Sequence, residues 1–355
     1  MAVHFSKDRM DETLENHMKW WRGELDRPLV RMTLGGAHPV EKRTPAPILS
    51  QATCTQLEWS PEQIIDALDE QLGQFEFIGD GYPSVCMDCF GPGVAAAFCG
   101  ARIDNSTGAI WFMPQVEGQD ISEIHAHYDP NHPIARRIKD IYRVGMERWQ
   151  GSVVMTMPDL GGVMDIAASL CGTQNLLIDL YDEPEEVLRL RDEIETAWYE
   201  AYADMRSALG ERAIYSDWNG LLCSDPSYIL QCDFSYMIGN DMFRKFVLDT
   251  LRRDTEKLTH TIYHLDGVGQ LNHLDSILTL DKLNAVQWVY GSGKQGPMYW
   301  LDVYRKIRSA GKEIMIIGSP REYMDTLSVL HGTPYTSQWF GFNDKAAAEE
   351  LINAR

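Results

Sequence analysis

The chain has 355 residues, of which 44% are hydrophobic and 24% are charged, proportions typical of a folded globular protein. Its formal net charge of -20 argues against nucleic acid or an anionic membrane surface as a partner, because such partners require an excess of lysine and arginine. An acidic protein can still bind a small molecule in a local basic pocket.

The sequence lacks the signals of membrane insertion and secretion. No apolar run approaches the roughly 20 residues of a membrane-spanning helix, and the segment MAVHFSKDRMDETLENHMKWW has no apolar core. The seven cysteines are an odd number and are scattered, which is not the pattern of a disulfide framework. We therefore expect a cytoplasmic protein.

The first part of the chain predicts an N-terminal extension and loop over residues 1–60. It contains an amphipathic helix over about residues 6–23, a short strand in PLVRMTL and a loop over residues 35–60 that is interrupted by prolines. Ser60 followed by Pro61 is typical of a helix start and predicts a helix over residues 61–78.

From residue 150 onward, strand and helix patterns alternate. The predicted strands are SVVMTM, AIYSDW, HTIYHLD, NAVQWVYG, EIMIIG and PYTSQW. Alternation with short connections indicates parallel βαβ units, and weaker units earlier in the chain bring their number close to eight. We predict an α/β fold, a (β/α)8 TIM barrel, in a single domain over residues 1–355. The alternative, an open doubly wound sheet, is disfavoured because no glycine-rich turn follows an early strand.

Polar and aromatic residues follow the predicted strands, where the active site of a barrel lies. Asp217, at the end of AIYSDW, is a candidate catalytic residue. The candidate substrate-binding residues at strand ends are Trp218, Gln287, Trp288, Arg321, Gln338 and Trp339. Any one of them could instead cap a helix or fill the core, but their convergence on one rim favours a pocket.

His264 and Asp266 are the most specific pair of candidate catalytic or metal-binding residues in the sequence. They are two positions apart in HTIYHLD, so their side chains point to the same side of the predicted strand. An imidazole and a carboxylate could bind Zn²⁺ together with a third residue from another strand, or they could transfer a proton. Alternatively, His264 donates to the backbone and Asp266 caps the next helix.

The segments YHLDGVGQLNHLD, PDLGGVMDIAASLCGTQNLLIDLYDEPEEV and LQCDFSYMIGNDMFRKFVLD resemble the uroporphyrinogen decarboxylase superfamily. The resemblance is strongest to the branch of corrinoid-dependent methyltransferases, and it extends over most of the chain. It implies a uroporphyrinogen decarboxylase-like barrel with a substrate pocket at the carboxyl ends of the strands.

The resemblance also suggests a metal site. In the methyltransferase branch a His-x-Cys pair on a late strand binds zinc together with a later cysteine. The corresponding pair here is His264-Leu265-Asp266, and no cysteine follows Cys232. The alternatives are a zinc site with nitrogen and oxygen ligands, His264 and Asp266, or no metal.

In the decarboxylase branch an aspartate binds the pyrrole nitrogens and arginines bind the substrate carboxylates. The corresponding residues here are Asp80, a candidate catalytic residue, and Arg27 and Arg31. The full arginine-rich signature of that branch is absent, and a substrate with eight carboxylates would require several cations.

The first functional hypothesis is therefore a methyltransferase that moves a methyl group from a small methylated substrate to a corrinoid. The corrinoid would be carried by a partner protein, because no D-x-H-x-x-G-type motif is present in the chain. The alternatives are a cofactor-free decarboxylase that uses Asp80, and a binding barrel without chemistry. We also expect a homodimer.

Overall fold

A computed structural model describes residues 2–39, 41, 44–330 and 336–354, and of residues 336–339, 352 and 354 it describes the backbone alone. The strands are β1 Leu29–Leu34, β2 Glu76–Gly79, β3 Ser84–Val85, β4 Arg102–Asp104, β5 Trp111–Met113, β6 Val154–Met155, β7 Ser227–Gln231, β8 His260–Asp266, β9 Ala285–Val289, β10 Glu313–Ile316 and β11 Thr336–Phe342. The helices are α1 Lys7–Trp21, α2 Pro61–Leu72, α3 Ala95–Phe98, α4 Pro133–Trp149, α5 Val163–Cys171, α6 Thr173–Asp182, α7 Pro184–Leu209, α8 Asn240–Phe246, α9 Leu248–Lys257, α10 Leu274–Ile277, α11 Leu301–Ser309, α12 Pro320–Val329 and α13 Lys345–Ala354.

The main sheet confirms a mixed α/β fold built on parallel strands. Within the described residues it has seven strands in the order β2-β1-β11-β10-β9-β8-β7, and all neighbours are parallel except β2 and β1. A two-stranded parallel sheet pairs β3 with β6, and an antiparallel sheet pairs β4 with β5. Strand β1 falls within the segment predicted as an N-terminal extension, yet it lies inside the main sheet between β2 and β11.

The helix predicted over residues 61–78 is shorter in the structure. It begins as expected, with reciprocal hydrogen bonds between Ser60 and Gln63 at its N-terminus, but it ends at Leu72. Gly73 follows, and a Cβ atom there would lie 2.6 Å from the Cβ of Ala2, so the N-terminal segment packs directly against this turn. Of the aromatic residues that follow, Phe77 belongs to β2, which pairs with β1.

The strand predicted in AIYSDW is also displaced. Tyr215 forms only an isolated bridge with Cys223, and the chain turns at Asp217, whose backbone carbonyl accepts from Gly220 N–H at 3.0 Å. The sequence Asp-Trp-Asn-Gly is typical of such a turn, because Asp and Asn side chains accept from backbone N–H groups two residues on. The strand of this region is β7, Ser227–Gln231, which the sequence analysis did not predict.

Helix α1 closes the amino-terminal end of the main sheet. Its N-terminus is capped by Ser6, whose hydroxyl accepts from the backbone N–H of Arg9. At its carboxyl end Trp20 and Trp21 join a buried apolar cluster with the first residues of several strands: Leu29, Ile229, Ile262 and Ala285. The two tryptophans of α1 therefore cover part of this end of the sheet with apolar side chains. Among the described helices, none combines the length and the apolar composition needed to cross a bilayer.

Candidate active site

A cavity of about 410 Å³ lies towards the carboxyl ends of the parallel strands, and we call it the polar cavity because most of its lining residues carry polar side chains. Four of the predicted site residues line it: Asp217, Trp218, His264 and Gln287. The other lining side chains include Arg31, Tyr82, Cys86, Thr156, Met315 and Ile317. Residues of the main sheet and residues next to β3 and β6 therefore face one common space.

His264 is held in a defined orientation by the neighbouring strand. Gln287 is its direct partner in the register between β8 and β9, and the two side chains form a hydrogen bond of 2.5 Å between His264 Nδ1 and Gln287 Oε1. Because an amide oxygen can only accept, Nδ1 carries the hydrogen. The other ring nitrogen, Nε2, lies 3.8 Å from Asp266 Oδ2. This arrangement resembles that of metal-binding histidines, whose second nitrogen donates to a fixed acceptor.

The electrostatic surroundings of His264 favour its charged form. Burial disfavours the imidazolium, but the carboxylates of Asp266 and Asp233 and the hydrogen bond with Gln287 outweigh it and raise the pKa of His264 above its ordinary value. The indole ring of Trp218 packs edge-on against the imidazole, with ring centroids 4.9 Å apart. The histidine is thus both electrostatically and sterically confined.

Asp233 joins His264 and Asp266 in a cluster of three. Gln231 at the end of β7 is opposite His264 in the register, so Asp233, two residues later, comes to the same end of β8. One donor atom from each of Asp233, His264 and Asp266 lies within 4.8 Å of the other two. Asp233, in the segment after β7, is the third residue from outside β8 that a zinc site at His264 and Asp266 would require.

The turn after β8 fixes the position of Asp266. The next residue, Gly267, has a φ of +80°, which a residue with a side chain rarely adopts. A Cβ atom there would also lie 2.9 Å from the ring of Tyr236. Gly267 donates its N–H to Val289 O at 2.8 Å, which ties the turn to β9. The sequence Asp-Gly at this point therefore serves both the turn and the placement of the carboxylate.

A second cavity is lined by another residue of the cluster, Asp233. It has a volume of about 360 Å³, and Asp233 and Asp165 line it together with aromatic and aliphatic side chains that include Trp111, Phe112, Met113, Phe234 and Met237. Since His264 lines the polar cavity and Asp233 lines this apolar one, the three-residue cluster lies between the two.

Asp217 lines the polar cavity, but both oxygens of its carboxylate accept hydrogen bonds from backbone N–H groups. Oδ1 accepts from Asn219 N–H at 2.9 Å and Oδ2 accepts from Ile229 N–H at 2.8 Å. Burial raises the pKa of Asp217 to about 6, despite these two hydrogen bonds and the positive charge of Arg31. The residue therefore stabilises the turn before β7 and also titrates close to neutral pH.

The structure places Asp80 outside the lining of the polar cavity. It is buried, its two carboxylate oxygens accept from the guanidinium of Arg27 at 2.7 Å each, and Oδ2 also accepts from Val30 N–H at 3.0 Å. Burial opposes ionisation, but the hydrogen bonds and the charge of Arg27 outweigh it and lower the pKa of Asp80. This geometry fits an anchor for the start of β1 rather than a group that meets substrate.

Trp288 and Arg321, two of the predicted substrate-binding residues, do not line the polar cavity. Trp288 follows Gln287 in β9, so its side chain points to the opposite side of the sheet, where it is fully buried against Trp300. Arg321 lies in the first turn of α12, is largely exposed and pairs with Asp325 one turn later. The side chains of Gln338 and Trp339 lie outside the described residues.

Comparison with solved structures gives one informative likeness. Eight known chains match, and one of them is a methyltransferase from Methanosarcina mazei, with a TM-score of 0.57 over 90% of this chain and 95% of that chain. The two chains share a fold. Their sequence identity is 11%, so the likeness extends to the fold alone. Comparison with family models and with curated proteins produced no match.

The sequence analysis missed Asp233, although a signal for it was present. The segment SYILQCD has the same form as HTIYHLD, an apolar run followed by an acid, and Pro226 marks its start. The sequence analysis assigned the one strand expected in this region to AIYSDW. The acid that follows the actual strand, β7, was therefore not considered. Arg31, named in the sequence analysis only as a counterpart of the decarboxylase arginines, lines the polar cavity. Tyr82, in the segment between β2 and β3, also lines it and was not predicted.

Proposed function

We propose that the protein is a methyltransferase that moves a methyl group from a small methylated substrate to a corrinoid held by a partner protein. The observation that carries the proposal is the cluster of Asp233, His264 and Asp266 between a polar and an apolar cavity. A transfer reaction requires two ligands to meet at one reacting centre, and two adjoining cavities provide room for both. The shared fold with a methyltransferase supports this choice.

We also propose that the sheets are parts of one closed (β/α)8 barrel in a single domain. Met157, just after β6, donates its N–H to Ser216 O at 2.8 Å, and the adjacent Asp217 accepts from Ile229 N–H in β7. These hydrogen bonds link the small β3–β6 sheet to the edge of the main sheet. A cavity lined from both sheets is the arrangement expected inside such a ring.

The cluster fits a zinc ion by its donor set. One imidazole nitrogen and two carboxylate oxygens are ligands that Zn²⁺ accepts, and three protein ligands leave one position for substrate. A bound Zn²⁺ would act as a Lewis acid on the leaving atom of the methylated substrate. Gln287 would keep Nε2 of His264 available as a ligand by accepting from Nδ1.

The side chains of the polar cavity would hold the substrate. Trp218 lines it, and within the described residues its indole N–H has no hydrogen-bond partner, so it can donate to an oxygen of the substrate. Arg31 is buried beside the cavity and supplies a positive charge close to Asp217. When the methyl group leaves, the electron pair of its bond stays on the leaving atom, and these donors would stabilise the charge that develops there.

The apolar cavity and its exposed rim would receive the partner protein. The rim comprises Trp111, Met113, Tyr236 and Met237, all of which expose large apolar side chains. Trp111 is 61% exposed, a high value for a tryptophan in a strand. Exposed apolar groups that surround a cavity are typical of a protein–protein contact, so a corrinoid carrier would dock there.

Decarboxylation is not favoured by any contact in the site. That alternative needs Asp80 at the substrate, whereas Asp80 is engaged by Arg27 and Val30. A binding barrel without chemistry would not require three potential metal ligands between two cavities.

The test of methyl transfer uses the zinc-loaded protein with reduced cobalamin as the acceptor. Small methyl ethers, methyl thioethers and methylamines are offered in turn, and methylation is followed by the absorbance spectrum of cobalamin. We expect transfer from at least one class, and loss of at least about 100-fold in rate for His264→Ala, because removing a ligand should exceed the 10- to 100-fold cost of losing an outer partner.

Arg321→Ala is the matched control, since Arg321 is exposed and does not line the cavity. Its rate should equal that of the unchanged protein. Absence of methylation with every substrate class, in folded protein that contains zinc, would overturn the proposal.

A further inference from the structure

A second group of potential metal ligands lies at the opposite end of β8. Cys223, Asp225 and His260 each place one donor atom within 4.8 Å of the other two. His260 is the first residue of β8 and His264 is the fifth, which separates the two groups by about 13 Å at roughly 3.3 Å per residue. The two groups are therefore separate.

The backbone holds the three residues together. Cys223 and Tyr215 exchange two backbone hydrogen bonds of 2.9 Å, and Ser227, two residues after Asp225, is opposite His260 in the register of β7 and β8. Cys223 is fully buried, whereas Asp225 and His260 are half-buried, so the group lies just beneath the surface. The indole ring of Trp21, at the end of α1, packs over His260 with centroids 5.0 Å apart.

The distances suit a metal ion. Cys223 Sγ lies 3.4 Å from His260 Nδ1. With zinc–sulfur and zinc–nitrogen bonds of about 2.3 and 2.0 Å, two ligands at a tetrahedral centre lie about 3.5 Å apart. Asp225 also donates its N–H to Cys223 Sγ at 3.4 Å, a contact that would stabilise a thiolate. Within the described residues, no lysine or arginine forms an ion pair with Asp225.

We propose that Cys223, Asp225 and His260 form a binding site for a divalent cation of zinc type, with the fourth position open to solvent. The donor set of one sulfur, one nitrogen and one oxygen is selective for zinc and related transition metals over magnesium and calcium. On binding, the thiol of Cys223 loses its proton to solvent and its sulfur bonds to the metal. The bound ion would fasten the segment before β7 to the start of β8, directly beneath the end of α1.

In the absence of a metal the thiol is neutral. Burial raises the pKa of Cys223 to about 11, and the nearby N–H of Asp225 only partly opposes this effect. Binding therefore releases about one proton from the thiol at neutral pH, and the affinity of the site should increase with pH.

Cobalt provides a direct test, because a thiolate bound to Co²⁺ gives an intense charge-transfer absorption that nitrogen and oxygen ligands do not give. Metal-free protein is titrated with Co²⁺ alone and the near-ultraviolet spectrum is followed. We expect this band in the unchanged protein and in His264→Ala, and its loss in Cys223→Ser. Cys171→Ser, which changes a buried cysteine in α5, is the matched control and should keep the band.

His260→Gln and Asp225→Asn test the same site in case Cys223→Ser does not fold. Both retain Cys223, and each should weaken Co²⁺ binding by at least about 10-fold while circular dichroism shows an intact fold. The proposal is overturned if the unchanged protein shows no thiolate band, or if the band persists in Cys223→Ser. A failure of methyl transfer would leave this result untouched, since the test does not involve His264 or activity.

Discussion

His264 derives its proposed role from two fixed neighbours rather than from its own position in the sequence. Gln287 accepts from its Nδ1, and Asp266 lies near its Nε2. The raised pKa of His264 means that protons compete with a metal for Nε2 at higher pH than in an ordinary histidine, so zinc affinity at this site should fall as the pH decreases.

Removal of the Gln287 acceptor should weaken metal binding. In Gln287→Leu no oxygen fixes the Nδ1–H tautomer, and we expect zinc affinity at this site to fall about 10- to 100-fold, the usual cost of losing an outer hydrogen-bond partner. Competition with a chromophoric chelator measures the affinity, with the Cys223 group removed by substitution. Gln287→Glu restores an acceptor and should recover the affinity, whereas Gln119→Leu, on the surface, should not change it. Equal affinity in Gln287→Leu and the unchanged protein would contradict this role.

At the scale of the element, sequence patterns predicted strands well where alternation and flanking signals agreed. HTIYHLD became β8 with the same boundaries, and the strand brought His264 and Asp266 to one side as expected. The helix expected over residues 61–78 ended early, because pairing of β2 with β1 outweighed the continuation of an apolar pattern. AIYSDW was assigned as a strand because its turn chemistry, Asp-Trp-Asn-Gly, was not weighed against its apolar start.

The reliance on local sequence patterns also explains which site residues were predicted correctly and which were not. His264 and Gln287 follow from strand ends and alternation alone, whereas Asp217 and Trp218 reach the cavity from a turn and not from the end of the predicted strand. Trp288 did not follow, because adjacent residues of a strand face opposite sides and only one of the pair with Gln287 can reach the cavity. The ion pair of Arg27 with Asp80 spans 53 positions, and no local pattern contains such a contact.

Helix α1 should contribute strongly to stability, because it seals the amino-terminal end of the sheet. Trp20 is fully buried among Leu29, Ile262 and other strand residues. We expect Trp20→Ala to lower the free energy of unfolding by about 3–5 kcal/mol, the usual cost of removing a large buried aromatic side chain. Urea denaturation followed by circular dichroism measures the change. Asp11→Ala, on the exposed side of the same helix, should change it by less than about 1 kcal/mol. A similar loss in both variants would mean that α1 does not seal the sheet.

At the scale of the whole molecule, the two ends of the sheet differ in what covers them. Trp20 and its apolar neighbours pack over one end, beside the group of Cys223, Asp225 and His260, and Asp233 and Asp266 lie at the other end. Two further acids are buried: Asp159 and Asp254. Burial raises the pKa of each to about 7, so the folded protein retains protons on carboxyl groups that the unfolded chain would have released.

These buried acids give stability a definite dependence on pH. A carboxyl group with a raised pKa makes its full contribution below the unfolded value of 3.8 and loses it as the pH rises through about 7. We therefore expect the free energy of unfolding to fall between pH 5 and pH 7, and urea denaturation at several pH values measures this slope. Asp254→Asn removes one such group while keeping an oxygen that can accept from Tyr199 OH, so it should reduce the slope by up to about 1.4 kcal/mol per pH unit. Asp302→Asn, on the surface, is the control and should leave the pH dependence of the free energy of unfolding unchanged. Equal slopes for Asp254→Asn and the unchanged protein would show that Asp254 is ionised in the folded state throughout this range.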